Sequence, residues 1–113
     1  MRPAFWALGW RVNKDVRQAC VERSGGLCEA CRAQPGAELD HFFSRRNSEE
    51  VETCWMLCAG PNGCHRRKTD GVGGRIEWLT TFARHCCVHG YVEVVDRCLK
   101  EISWVWAKKR GAA

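Results

Sequence analysis

The apolar positions of this chain form several short clusters followed by two long helical stripes. Val12, Val16 and Cys20 recur every four residues with polar residues between them, which predicts a helix over residues 13–24. Asn13 is suited to cap its start and Gly25-Gly26 to stop it. Leu27 to Cys31 reads as a tight turn and Gln34-Pro35-Gly36 as another. Ala37 to Phe43 is short, apolar-rich and extended, and Trp55-Met56-Leu57 is a second short buried segment. Between these two, Ser44 to Asn47 is a polar, basic loop, and Ser48-Glu49-Glu50 suits the start of a helical turn. Ala59 to Gly63 is a loop, and His65 to Thr69 opens a short helix. Beyond a hinge at Gly71-Val72-Gly73-Gly74, the positions Ile76, Leu79, Ala83 and Cys86/Cys87 mark a helix over about 75–89. Tyr91, Val94/Val95, Cys98/Leu99, Ile102 and Val105/Trp106 mark another over about 91–108, and Gly90 between them makes the pair a hairpin.

This pattern predicts an α+β chain with one domain over residues 1–113. A small core at 27–70 is flanked by an N-terminal helix and a C-terminal helical hairpin. No stretch approaches the roughly 18 apolar residues that a membrane span needs. Met1 to Trp10 has apolar residues but neither a sustained apolar core nor a cleavage site, which argues against a signal peptide. Nothing repeats internally.

Composition changes the picture at one point. Nine cysteines in 113 residues is a high density for so small a core, and the count is odd, so full disulfide pairing leaves one thiol over. Thiolates that bind metal in a reducing, cytoplasmic setting are the better reading. Cys28-x-x-Cys31 followed by Cys58-x5-Cys64 has the form of a four-cysteine structural zinc site, since four soft thiolates close a tetrahedron and fold the loops between them. Cys54 keeps an alternative open, because Cys54-x3-Cys58 is also permissible spacing. His65 could likewise replace Cys64 as a ligand. Cys58/Cys64 is preferred because Cys64 adjoins His65 and fixes where it points. Cys20, Cys86 and Cys98 lie on apolar helical stripes and Cys87 beside one, so these four read as packed thiols.

Charge is unevenly spread around the formal +5. Residues 27–63 carry three Lys/Arg against six Asp/Glu, whereas residues 64–113 carry ten against five. An acidic centre between basic flanks suits a metal-binding pocket held against a polyanion. Asp40 and His65 offer one oxygen and one nitrogen ligand and leave other positions of an ion open. Arg45, Arg46, Arg66, Arg67 and Lys68 lie near them in sequence and suit phosphate contacts, with Arg75 and Lys108-Lys109-Arg110 extending the footprint. Phe42 and Phe43 read as core wedges, and burial accounts for at least some of Trp78, Trp104 and Trp106.

Taken in order, Cys28-Glu29-Ala30-Cys31, Asp40-His41, Leu57-Cys58 and Cys64-His65-Arg66-Arg67-Lys68-Thr69 resemble the HNH endonucleases with a ββα-metal core, over roughly residues 27–70. The likeness is greatest to the small stand-alone members found in bacteriophages and prophages. The resemblance implies that His41 is the general base, that Asp40 and His65 hold a catalytic divalent ion (Mg²⁺, Mn²⁺, Ni²⁺ or Zn²⁺), and that Cys28, Cys31, Cys58 and Cys64 hold structural zinc. It implies DNA as the substrate, the cytoplasm of a bacterial host as the setting, and the phage terminase or another large assembly as a partner. The family's middle residue is usually Asn and positions the base histidine; here that place falls on Thr53. Threonine in that position and the long Cys58–Cys64 loop leave a second class of function open, a non-catalytic zinc module that binds nucleic acid or a protein.

Overall fold

The computed structural model describes residues 14–43 and 49–111. The elements run α1 (Lys14–Ser24), β1 (Glu38–His41), β2 (Cys54–Leu57), α2 (Cys64–Thr69), α3 (Arg75–Val88) and α4 (Val92–Lys109). The fold is therefore mixed helix and small sheet, as the pattern predicts, with helix ends within a residue or so of the expected ones. Asn13, the N-terminal segment and the 44–48 loop lie outside the described residues. The helical turn expected from Ser48 onward is not found in its described part. Glu49 and Glu50 are irregular and the chain closes in a turn at 51–53, just before β2.

β1 and β2 pair antiparallel, with Glu38 opposite Leu57, Leu39 opposite Met56, Asp40 opposite Trp55 and His41 opposite Cys54. Side chains alternate across a strand, so this register sorts them onto two faces. Cys54, Met56 and Leu39 meet Val16 and Cys20 of α1 on one face. Trp55 and Leu57 join Phe42, Trp78, Leu79 and Phe82 on the other, beneath α3. All four residues of β2 are buried because the strand is covered on both sides. Phe42 lies flat on Phe82, ring centroids 4.2 Å apart and planes 3° from parallel, and Trp55 meets both rings edge-on. Phe43 is half-buried against the same cluster.

The helical hairpin turns at Gly90, whose φ of 77° is a left-handed conformation open to glycine at little cost. The Gly90 N–H donates to the Cys87 carbonyl and the Tyr91 N–H to the Cys86 carbonyl, closing the last turn of α3. Tyr91, Val94, Val95, Cys98 and Ile102 lay one side of α4 on the core. The stripe is narrower than its sequence suggests. Leu99, Trp104 and Trp106 are exposed, and Cys87, expected to be packed, is exposed too. α4 spans 18 residues against 14 for α3, so its last turns extend beyond the helix it packs on. Among the described residues no helix is long and apolar enough to cross a membrane.

One buried ion pair ties the two sides together. Arg23, near the end of α1, donates two hydrogen bonds to the Glu29 carboxylate, Nε to Oε2 at 2.8 Å and Nη2 to Oε1 at 2.7 Å. The same guanidinium donates to the carbonyls of Val51 and Cys54. Glu29 also accepts the Met56 backbone N–H at 2.9 Å. The fork of Arg matches a carboxylate closely, so both charges stay satisfied without water. His85 sits beside this pair, and burial pushes its imidazole down to about 4 against the pull of Glu29. Its Nε2 is buried with no hydrogen-bond partner among the described residues, a cost of about 1–3 kcal/mol for a group of this kind. Glu29→Gln should cost about 3–5 kcal/mol in chemical denaturation, because it strands a buried guanidinium. A loss under about 1 kcal/mol would mean that the Val51 and Cys54 carbonyls alone can hold Arg23.

Candidate functional site

The thiols of Cys28, Cys31, Cys58 and Cys64 converge, all four sulfurs lying within 4.8 Å of one another. Cys31 and Cys58 Sγ are 4.0 Å apart. Around a tetrahedral ion with bonds of about 2.3 Å, sulfurs lie about 3.8 Å apart, so the spacing is close to that of a filled site. Two backbone N–H groups point at sulfur, Cys31 to Cys28 Sγ at 3.5 Å and Cys64 to Cys58 Sγ at 3.2 Å. The second bond needs the chain to curl sharply at Gly63, where a Cβ would lie 2.4 Å from the Ala59 carbonyl oxygen. Burial pushes the Cys58 and Cys64 thiols up, and the neighbouring thiol of Cys58 adds to the effect at Cys64. Burial also opposes ionisation of Cys31, but hydrogen bonds from Ala33, Gln34 and the neighbouring thiols outweigh it and hold that thiol at about 7. Four thiolates could share this space only with a cation among them, and the donor set is compatible with a structural metal site.

Cys54, the alternative ligand, is elsewhere. It lies on the α1 face of the sheet beside Cys20, whose thiol approaches the Cys54 carbonyl at 3.8 Å. His65 is likewise outside the sulfur cluster and turns toward β1.

That turn builds a second group of ligand-bearing residues. His65 lies in the first turn of α2, immediately after Cys64, and its N–H bonds the Cys58 carbonyl, so the thiolate cluster anchors its backbone. Its Nδ1 is 2.7 Å from Glu38 Oε1, and its Nε2 faces Asp40 Oδ1 at 3.5 Å. Glu38 and Asp40 are two apart on β1 and so share a face. A carboxylate on Nδ1 fixes the ring and leaves Nε2 as the atom free to coordinate. Asp40 is buried and already well held. The Trp55 indole N–H donates to Oδ2 at 2.9 Å, and the Lys68 ammonium reaches both oxygens, at 3.0 and 3.1 Å. An ion between Asp40 and His65 would have to share Oδ1 with Lys68.

His41 follows Asp40 in β1 and so points to the opposite face of the strand. Its Nε2 is 3.0 Å from Glu49 Oε1. Thr53 is buried, and its hydroxyl donates to the Glu50 carbonyl and accepts the Glu50 N–H, holding the turn before β2. Its carbonyl accepts the Phe42 N–H, next to His41. Glu49 is thus one group that meets the His41 ring.

Of the five basic residues expected on a polyanion, Arg45 and Arg46 lie outside the described residues. Arg67 is exposed, and Arg66 is exposed and paired with Asp70 one helical turn away. Lys68 turns inward instead, spending its charge on Asp40 and the Phe42 carbonyl. An open cleft of about 540 Å³ runs past Glu38, His65, Arg66 and Asp70. Two contributors were not singled out in the sequence. Glu38 was findable, since it lies two before Asp40 on a strand. Glu49 was not, because only the folding of an irregular loop brings it to His41.

Metal content of the purified protein should be one tightly held ion per chain from the sulfur cluster. Cys58→Ser should lose that ion together with the cooperative unfolding transition, whereas Cys54→Ser should keep both. Metal analysis with thermal denaturation checks this, and retention of the ion in Cys58→Ser would refute the assignment. Compared with known proteins, the chain matches no family model, no curated protein and no solved structure.

Proposed function

We propose that this chain is a metal-dependent HNH endonuclease that hydrolyses DNA phosphodiester bonds with little sequence preference. In this reading residues 27–70 form a ββα-metal core and the sulfur cluster holds zinc. The observation that carries it is the Glu38–His65–Asp40 arrangement. An imidazole is oriented by one carboxylate and aimed at a second, beside a thiolate cluster and across the consecutive elements β1, β2 and α2.

The residues divide the work. Asp40 and His65 would hold a divalent ion, which when bound stabilises negative charge on the phosphate and on the departing oxygen. Glu38 keeps Nε2 of His65 toward Asp40. Lys68 and the Trp55 indole hold the Asp40 carboxylate in place. His41 takes the proton of the attacking water. In the tautomer that donates Nε2–H to Glu49, the lone pair lies on Nδ1, where it would take that proton. Glu49 would contribute to the orienting role that the family gives to Asn and that the resemblance assigns to Thr53, whose carbonyl holds the neighbouring Phe42 N–H. Arg67, with Arg45, Arg46 and Arg66, would contact phosphates, so binding should weaken with salt. A bacterial cytoplasm and a phage assembly such as the terminase are the setting and partner that this reading proposes.

A second reading is favoured by the pairing of Asp40 with Lys68 and by the placement of His41 on the other face of β1. It is a zinc module that binds nucleic acid or a protein without cutting.

Plasmid digestion with Mg²⁺, Mn²⁺ or Ni²⁺ separates the two. The nuclease should nick or linearise the plasmid, and His41→Ala should lower the rate by about two to four powers of ten. His65→Ala should abolish metal stimulation. Equal cleavage by wild type and His41→Ala would remove His41 from the mechanism, and salt-sensitive binding without cleavage under any metal would select the second reading.

A further inference from the structure

Behind the sulfur cluster lies a further group of metal-ligating side chains. Glu29 sits inside the Cys28–Cys31 turn, while His85 and His89 are four residues apart at the end of α3 and so share one helical face. One ligand atom from each of the three lies within 4.8 Å of the other two. The His85–His89 ring centroids are 4.9 Å apart. His85 Nδ1 is 3.7 Å from Glu29 Oε2, beyond hydrogen-bond reach, so that contact does not occupy the ring.

His85 is the informative member. Its side chain is only 4% exposed, yet Nε2 has no hydrogen-bond partner among the described residues. Buried polar atoms are almost always satisfied, and an exception asks for a bound water or ion. Burial disfavours charge on this ring, and the neutral form is the one that coordinates metal. A cleft of about 170 Å³, lined by all three residues, gives an entry path.

We propose that Glu29, His85 and His89 form a second metal site, separate from the sulfur cluster and from Asp40–His65, that takes a borderline transition ion such as Ni²⁺, Zn²⁺ or Co²⁺. Two imidazoles and one carboxylate leave a position open to the cleft. The surrounding charge sets the class of ion. Arg23 already bonds the Glu29 carboxylate, and Arg32 and Arg84 line the cleft. With the carboxylate's charge largely offset, hard ions that seek oxygen, such as Mg²⁺ and Ca²⁺, are excluded, and binding rests on the two nitrogens. A bound ion would clamp the end of α3 to the turn that carries Cys28 and Cys31.

The test is independent of nuclease activity. His65→Ala protein, which lacks the other imidazole site, is loaded with one equivalent of Zn²⁺ to fill the thiolates and then dialysed against Ni²⁺. It should bind one Ni²⁺ per chain at micromolar free ion. Adding His89→Ala, a half-buried position at a helix end, should weaken that binding by at least about 100-fold, the upper range for loss of even an outer partner of a metal site. His85→Phe on the His65→Ala background should do the same while keeping the buried volume, with circular dichroism checking that both variants fold. Equal Ni²⁺ binding with and without His89, or no second ion up to about 100 µM, would overturn the proposal.

Discussion

Four sulfurs drawn to within 4.8 Å of one another set the frame on which the rest of this chain is hung. They come from two places far apart in sequence, the turn after α1 and the stretch from the end of β2 to the first residue of α2. Holding them together closes a loop containing β1 and β2, and it fixes where α2 begins. In a chain of 113 residues such a constraint matters, because a small domain buries too little apolar surface to fix its loops by packing alone. The Arg23–Glu29 pair acts from the same turn in the other direction, linking it to α1, to the Val51 carbonyl and to β2. One short turn thus organises both faces of the sheet.

The proposed catalytic residues inherit their positions from that frame. His65 is next to Cys64 of the sulfur cluster and its N–H is held by the Cys58 carbonyl, so its backbone has little freedom, and Glu38 removes what remains at the ring. Asp40 is held by an indole and an ammonium, groups that are themselves buried or nearly so. Asp40 tolerates burial because both of its oxygens have donors, whereas Glu38 beside it is exposed. Lys68 has two consequences here. It gives the buried Asp40 carboxylate a charged partner, and it sets a competitor against any cation that would share that carboxylate.

Much of this was legible in the chain itself. Helical periodicity located α1, α3 and α4, and Cys28-x-x-Cys31 with Cys58-x5-Cys64 named the sulfur cluster that forms. The limits are physical. Periodicity reports which face of α4 is apolar but not how wide a strip of it is covered or how far the cover runs, so Leu99, beside buried Cys98, and Trp106 read as core and are exposed. Cys87 is next to a stripe, and adjacency does not tell inside from outside. A basic residue near a site reads as a surface cation, whereas Lys68 is drawn inward by Asp40, a contact set by the packing of α2 on β1. The Glu49 contact with His41 and the neighbourhood of Glu29, His85 and His89 depend on loop and helix placement that local pattern does not encode.

The burial of β2 on both sides has an outcome for how this protein tolerates change. Its odd and even positions answer to different neighbours, Trp55 and Leu57 to α3, Cys54 and Met56 to α1. An insertion or deletion of one residue in this strand would exchange the two sets, driving an indole into the space cut for a thiol. Substitutions can therefore drift independently on the two faces, but the length of this segment cannot drift at all.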